Sequence, residues 1–198
     1  PLRHIPGVVV VSSEPVVFKF TDARVVCIPF SGAGAELAAK VGEVCSSLLK
    51  SDLPTVLALH AGLAIGTGTQ FYGGTDPMDL IINVPAEVRL AGIIAGDFHK
   101  HARKNYARGD TNVIVVQVGA LVPTGFDNDG WDTSYGSFVR VGLEAGAFGF
   151  TRHVIEGPRF TTVDNVREAR QLHATGVSAG RVYIRLRSDD PDAEAALR

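Results

Sequence analysis

Residues 25–49 read VVCIPF-SGAG-AELAAKVGEVCSSLL, an apolar run, a glycine-rich turn and a segment with helical periodicity. The first six residues form a short run rich in β-branched side chains, which is typical of a buried strand. Gly32 and Gly34 then permit a sharp turn, because glycine tolerates positive φ. The segment that follows is predicted to be a helix over 34–50, because apolar residues recur every three or four positions. These residues are Leu37, Val41, Val44, Cys45 and Leu48.

The composition is that of an ordinary globular protein. The chain has 198 residues, of which 45% are hydrophobic and 20% charged, and its formal net charge is −2. This length predicts a single domain over 1–198 with a sizeable core, ending in a polar tail at 188–198. The net charge offers no general attraction to nucleic acid. No apolar run reaches the roughly 20 residues of a membrane-spanning helix, so we expect no membrane partner.

Both cysteines of the chain, Cys27 and Cys45, lie in the strand and helix just described. Their neighbours are apolar, so we expect two small buried thiols and no disulfide framework. Buried free thiols are typical of a reducing compartment, which favours a cytoplasmic protein.

Two architectures fit the order of the predicted elements. In an α/β protein, two βαβ units would place ligands outside the carboxyl ends of the strands, near the turn at 31–34. The elements of these units are strand 24–30, helix 34–50 and strand 55–60, then strand 79–84, helix 86–105 and strand 112–121. In a mainly β protein, the strands would instead form an eight-stranded antiparallel sandwich with two inserted helices, and the many glycines and the strand-rich second half favour this architecture.

The second architecture resembles the jelly-roll coat proteins of icosahedral viruses, which often carry helices after the second and fourth strands. The predicted strands are, in order, 7–20, 24–30, 55–65, 79–84, 112–122, 137–143, 147–155 and 181–186. The resemblance implies a structural, non-catalytic subunit that assembles with copies of itself or related subunits into the shell of a virion. The Arg-rich arm with which such proteins package RNA does not occur in the sequence, so nucleic-acid contact is unsupported by charge.

An acidic loop at 126–135 contains the candidate metal ligands Asp127, Asp129 and Asp132. The order Asp-Asn-Asp-Gly-Trp-Asp over 127–132 alternates oxygen donors around a glycine, which suits Ca²⁺. Calcium is therefore the candidate cofactor, and viral shells often use such acids at subunit contacts. A tight Asp-Gly turn with exposed acids explains the same residues.

The α/β alternative predicts a ligand site at the glycine turn. Backbone amides at a helix N-terminus attract anions, which makes Gly32 and Gly34 candidate cofactor-binding residues. The dinucleotide fingerprint is incomplete, because Leu37 stands where a third Gly or Ala belongs. A glycine turn that only joins a strand to a helix is the alternative interpretation.

The α/β alternative also suggests residues that could form a nucleophilic site. His60 ends the strand after the first helix, and Ser31 stands in the glycine turn. With Asp76 or Asp79 they could assemble a catalytic triad of a small α/β enzyme. Ser31 does not lie in a Gly-x-Ser-x-Gly motif, so the sequence supports a site at 31–34 and His60 without specifying a reaction.

Two shorter motifs have equally simple explanations. On a strand, Asp97, His99 and His101 would share one face and could bind a divalent metal, whereas the neighbouring periodicity predicts a basic helical turn. The tripeptide at 108–110, Arg-Gly-Asp, matches an adhesion motif, but a turn before strand 112–122 explains it as well.

Overall fold

A computed structural model describes residues 5–48, 51–65, 74–99, 101–121, 136–144, 147–155, 159–176 and 182–186. Within these ranges the protein is mainly β. The strands are β1 (Val16–Lys19), β2 (Arg24–Ile28), β3 (Ser51–His60), β4 (Val88–Gly96), β5 (Ala102–Arg108), β6 (Thr111–Gln117), β7 (Ser137–Glu144), β8 (Ala147–Val154), β9 (Arg159–Val163) and β10 (Val182–Leu186). The helices are α1 (Ala35–Ser46), α2 (Pro77–Asn83) and α3 (Val166–Gly176).

The chain divides into two compact units. The first comprises Pro1–Val118 with Arg140–Thr151, and the second comprises Gly119–Val139 with Arg152–Arg198. The single domain expected from the chain length stays a prediction. The polar tail predicted at 188–198 lies outside the described residues.

Six strands of the first unit form a mixed sheet in the order β1-β2-β3-β4-β6-β5. β2, β3, β4 and β6 run parallel, whereas β1 and β5 are antiparallel edge strands. The eight-stranded antiparallel jelly roll is therefore not confirmed. Parallel neighbours need a crossover connection, and α1 supplies it between β2 and β3, as α2 does between β3 and β4.

The first predicted βαβ unit is confirmed. Gly34 precedes α1 with a φ of 59°, a conformation that glycine adopts readily. The helix buries Leu37, Val41, Val44 and Cys45 of the predicted apolar face, and Ala38 with them, whereas Leu48 lies after the helix and is half-buried. That face packs in one core with the buried side chains Val26 and Ile28 of β2 and Leu57 and Leu59 of β3.

The second predicted βαβ unit is wrong in its first two elements. The segment predicted as a strand over 79–84 belongs to α2, because Asp76 caps the helix by accepting a hydrogen bond from the Met78 backbone N at 2.9 Å. The segment predicted as a helix over 86–105 forms β4 and β5. A central parallel strand is apolar on both faces, so its sequence lacks the period of two by which an exposed strand is recognised.

Gly92 shows why glycine occurs within β4. A Cβ built at Gly92 would lie 2.6 Å from the ring of Phe148 in β8, and Phe148 is buried. Gly92 lies on the sheet face opposite to Ile93, because side chains alternate along a strand. Ile93 belongs to the core that α1 and α2 cover, and Phe148 therefore packs against the other face.

The remaining strands pair outside the large sheet. β7 and β8 form a two-stranded sheet, and β9 and β10 pair in parallel with α3 between them in the chain. β7, β8 and β10 agree with the strands predicted at 137–143, 147–155 and 181–186. β9 was not predicted.

Both cysteines are free thiols; Cys45 is buried as expected, whereas Cys27 is only half-buried. Burial raises the pKa of the Cys45 thiol to about 11, an effect that the nearby charges of Arg24 and Arg108 partly oppose. In the part of the chain described above, no helix has both the length and the apolar character that a membrane span requires.

Candidate functional site

The carboxyl ends of β2, β3 and β4 bring together two of the segments that the sequence singled out. In the parallel register Ile28 lies opposite Leu59, and His60 lies opposite Gly96. The turn at 31–34 follows β2 directly, so Gly32, Gly34 and His60 share one edge of the sheet. This is the edge at which open α/β sheets bind ligands.

Thr75 holds the glycine turn in place. Its side chain is fully buried, and its Oγ1 accepts a hydrogen bond from the Gly34 N–H at 2.8 Å. The Thr75 backbone also donates to the Gly62 carbonyl and accepts from the Ala64 N–H, both at 2.9 Å. The start of α1 is therefore tied to the loop after β3. The amide of Gly34 is committed to this bond, which lowers its value as an anion-binding group.

Glu36 lies across the glycine turn. A Cβ built at Gly32 would lie 2.8 Å from the carboxyl carbon of Glu36, and Gly32 has a φ of 90°. The carboxylate stands in the first turn of α1, where it interacts favourably with the helix dipole. It also places negative charge where a phosphate group would have to sit. Gly32 and Gly34 as ligand-binding residues stay a prediction, but an anionic ligand group there is disfavoured.

Phe30 and His60 form an aromatic pair at the same edge. Their ring centroids are 6.1 Å apart and their planes meet at 67°, an edge-to-face arrangement. Phe30 is 67% exposed, and His60 is exposed as well. Apolar ring surface is thus presented to solvent directly beside the glycine turn.

The Ser31 hydroxyl is a buried polar group without a partner among the described residues. Its Oγ is shielded from solvent and forms no hydrogen bond within the described residues. An unpaired buried polar atom costs roughly 1–3 kcal/mol, which is why such atoms are rare. The predicted Ser31–His60 pair is therefore not hydrogen-bonded here. Asp76, one proposed third member of a triad, uses its carboxylate to cap α2.

Asp97 follows β4 in a strained conformation. Its φ is 121°, and it is the one non-glycine residue with positive φ in the described ranges. Strain of this kind costs about 1–3 kcal/mol and occurs often at functional sites. The preceding residue, Gly96, pairs with His60, and a Cβ built at Gly96 would lie 3.9 Å from His60 Nδ1. An exposed carboxylate is thus placed one residue from the contact with His60.

Gln117 and Phe98 fix the loop after β3 and were missed in the sequence. Gln117 is 1% exposed; its Oε1 accepts from the Leu63 N–H at 3.0 Å and its Nε2 donates to the Ala95 carbonyl at 3.2 Å. The Phe98 ring packs on the loop glycine Gly62, where a Cβ would meet it at 2.8 Å or closer. The one feature of the sequence that could have indicated this role is Gln117 itself, a side-chain amide in the apolar run of β6.

The predicted calcium ligands Asp127, Asp129 and Asp132 lie outside the described residues. Within those residues, no group of three or more His, Cys, Asp or Glu side chains could hold a metal ion. The Asp97, His99 and His101 motif thus gains no support as a metal site. His101 Nδ1 instead lies 3.3 Å from the Val118 carbonyl oxygen.

Arg108 stabilises the opposite edge of the sheet. Its guanidinium donates to the carbonyls of Val84, Pro85 and Val88 at 2.8, 2.7 and 2.7 Å. Because the Arg108 side chain forms these hydrogen bonds, it is not available for an adhesion contact. The tripeptide at 108–110 instead forms the predicted turn between β5 and β6. An open cavity of about 670 Å³ adjoins it. The residues that line this cavity are Ala86, Glu87, Val88, Arg89, Leu90, Arg108, Gly109, Asp110 and Thr111.

Comparison with known proteins assigns no family: no protein-family model matches the chain, and no curated protein matches its sequence. The relationship to jelly-roll coat proteins stays a prediction. The function is therefore argued from the chemistry of the carboxyl edge.

Proposed function

We propose that this protein binds a small-molecule ligand at the carboxyl ends of β2, β3 and β4, as small α/β enzymes and ligand-binding proteins do. The observation that carries the proposal is the buried hydroxyl of Ser31, which has no partner among the described residues and follows Phe30, whose exposed ring packs on His60. A ligand that hydrogen-bonds this hydroxyl would remove the cost of leaving it unpaired. The same ligand would cover apolar surface that is now in contact with water.

The surrounding contacts support a preformed site. Thr75 ties the glycine turn to the loop after β3, and Gln117 ties that loop to β4. Both side chains are buried, so the loops around the turn are held in position, and a ligand has to displace only the atoms that shield Ser31 Oγ from solvent. Preorganisation of this kind lowers the entropic cost of binding.

Binding accounts for this arrangement better than catalysis does. An activated serine requires a base within about 2.6–3.2 Å of its hydroxyl, although this distance is often longer before substrate binds. Ser31 has no such partner in the described part of the chain. A catalytic role would therefore require the ligand to bring His60 and Ser31 together.

Amide chemical-shift mapping with a fragment library tests the proposal. We expect bound fragments to shift the amides of Ser31, Gly34, His60 and Thr75 together. The variant Ser31→Ala should weaken binding while leaving the free energy of unfolding equal or higher, because an unsatisfied buried hydroxyl is removed.

The matched control for this experiment is Thr111→Ala at the opposite edge, where the hydroxyl donates to the Arg108 carbonyl. It should leave fragment binding unchanged. Fragments that shift only residues near the 86–90 and 108–111 cavity, or a Ser31→Ala variant that binds as the wild type does, would contradict the proposed site.

We also propose, as a second candidate, a structural subunit of a self-assembling shell of the viral coat kind. The observation that favours it is a group of exposed apolar side chains in the segment around β1. These are Ile5, Val8, Val9 and Phe20, which are 49%, 42%, 58% and 57% exposed. β1 is an edge strand, and an exposed edge can pair with another chain.

Native mass and particle size, measured with and without a chelator, test this second candidate. A shell of many copies, or oligomers that dissociate on chelation, would support both assembly and calcium bound by Asp127, Asp129 and Asp132. A monomer or small dimer that is indifferent to the chelator would exclude it.

A further inference from the structure

We infer that the ligand of the carboxyl edge is a compact organic cation of the quaternary ammonium class and not a phosphate-bearing nucleotide. The inference rests on the proposed ligand site and deepens it by naming the class of ligand. Three features of the described residues lead to it: the charge of the loops, the occupied donors of the glycine turn and the angle between two exposed rings.

The loops that follow β2, β3 and β4 carry acidic side chains. Within the described residues of these loops, 29–36, 61–65, 74–76, 97–99 and 101, the acids are Glu36, Asp76 and Asp97, and the sequence places one lysine, Lys100, in the loop after β4. Glu36 lies on Gly32, and Asp97 follows the glycine that contacts His60. The third acid, Asp76, caps α2 and follows Thr75, which holds the turn. Glu36 on the glycine turn and Asp97 beside the His60 contact therefore favour a cation over a phosphate next to these residues.

The glycine turn offers few donors for an anion. The Gly34 N–H is bonded to Thr75 Oγ1, and the Glu36 carboxylate covers Gly32. The turn also contains no lysine of the kind that completes a phosphate loop. The usual reason for a helix N-terminus to bind phosphate, which is free backbone N–H groups, is therefore weakened at this helix.

The angle between the rings of Phe30 and His60 favours a compact cation over a flat one. Two parallel rings would clamp a planar base, but Phe30 and His60 meet at 67° and form a corner. A corner of rings contacts a rounded cation on two sides, and the face of the Phe30 ring attracts an ammonium group through the cation–π interaction. Phe30, which is 67% exposed, has ring surface available for this contact. The Ser31 hydroxyl adds a hydrogen-bonding group for a polar substituent of the ligand.

Isothermal titration and amide-shift mapping of the full chain with choline test the inference. The matched ligand is 3,3-dimethyl-1-butanol, which has the same shape and hydroxyl as choline but no charge. We expect choline to saturate shifts at Ser31, Gly34 and His60, and the neutral analogue to bind about tenfold more weakly or less.

Two variants separate the contributions of ring and charge. Phe30→Leu keeps an apolar side chain and removes the ring, and Glu36→Gln removes the charge that covers the turn. Each should weaken choline binding by about three- to tenfold. The control Glu87→Gln lies at the opposite edge, in the cavity next to Arg108, and should leave choline binding unchanged.

The outcomes distinguish this inference from the proposed site. Equal binding of choline and its neutral analogue, or AMP or inorganic phosphate that shifts these amides while choline does not, would overturn the cation but leave the site. If neither choline nor any fragment of the library shifts the amides of the carboxyl edge, both the site and its ligand class are wrong.

Discussion

Replacing Gly92 with alanine would put a methyl group where the ring of Phe148 now packs. The new Cβ would lie 2.6 Å from both Cδ1 and Cε1 of that ring, well inside normal contact distance. Overpacking of a core costs about 1–3 kcal/mol, whereas the loss of glycine freedom in the unfolded chain returns about 0.4–1 kcal/mol. We therefore expect Gly92→Ala to lower the free energy of unfolding by about 1–2 kcal/mol.

Urea denaturation followed by circular dichroism measures this change. The control is Gly149→Ala, next to Phe148 in β8, because a Cβ at Gly149 meets no atom within 4 Å. That variant should be as stable as the wild type within about 0.5 kcal/mol.

A double-mutant cycle identifies the ring as the cause. Phe148→Leu removes part of the ring, so Gly92→Ala should cost at least about 1 kcal/mol less in that background. If Gly92→Ala is as harmless as Gly149→Ala, or if the two substitutions are additive, Phe148 does not pack on β4 as described.

Three other groups give testable effects on stability. Arg108→Met removes three hydrogen bonds to carbonyls and should cost about 2–3 kcal/mol in urea denaturation, whereas the exposed Arg140→Met should cost less than about 0.5 kcal/mol; equal losses would contradict the role of Arg108. Because burial raises the Cys45 pKa from 9.0 to about 11, the native state keeps its proton where the unfolded chain loses it. The stabilisation that the neutral buried thiol gives the folded protein is complete below pH 9 and is lost as pH rises through about 11. The free energy of unfolding should therefore fall by roughly 2 kcal/mol by about pH 10.5 in the wild type but not in Cys45→Ala. His153 Nε2 is buried without a partner in the described residues and its ring stacks on Phe138 at 4.8 Å, so His153→Phe should raise the unfolding free energy by up to about 1 kcal/mol; a loss of that size would show that Nε2 is satisfied.

The first βαβ unit could be predicted because its signals are local. An apolar run, two glycines and a helical spacing lie within 25–49, and each determines the conformation of its own few residues. The same signals placed Gly32, Gly34 and His60 at one edge, since parallel strands end together.

The second unit could not be predicted in the same way. Val88, Ala91 and Ile94 follow a helical spacing, and the alternation of Val88, Arg89 and Leu90 does not continue, because β4 is apolar and covered on both faces from Leu90 onward. Glycine disfavours a helix, but in β4 Gly92 provides space for the ring of Phe148, 56 positions further along the chain.

The details of the candidate site depend on contacts between distant residues. The hydrogen bond from Gly34 to Thr75 spans 41 positions, and that from Leu63 to Gln117 spans 54. No local pattern indicates such pairs, nor the strained φ of Asp97. The exposure of Phe30 could not be predicted either, because it ends an apolar run whose other residues are mostly buried.

The strand order of the large sheet bears on how the chain assembles as it leaves the ribosome. The first four strands of the chain are neighbours in the sheet in the order in which they are synthesised. Each of β2, β3 and β4 can therefore pair with a strand that has already been made. β5 breaks this sequence, because β6 must enter between it and β4. The last two strands would therefore join the sheet together as a hairpin, connected by the tight turn at 109–110.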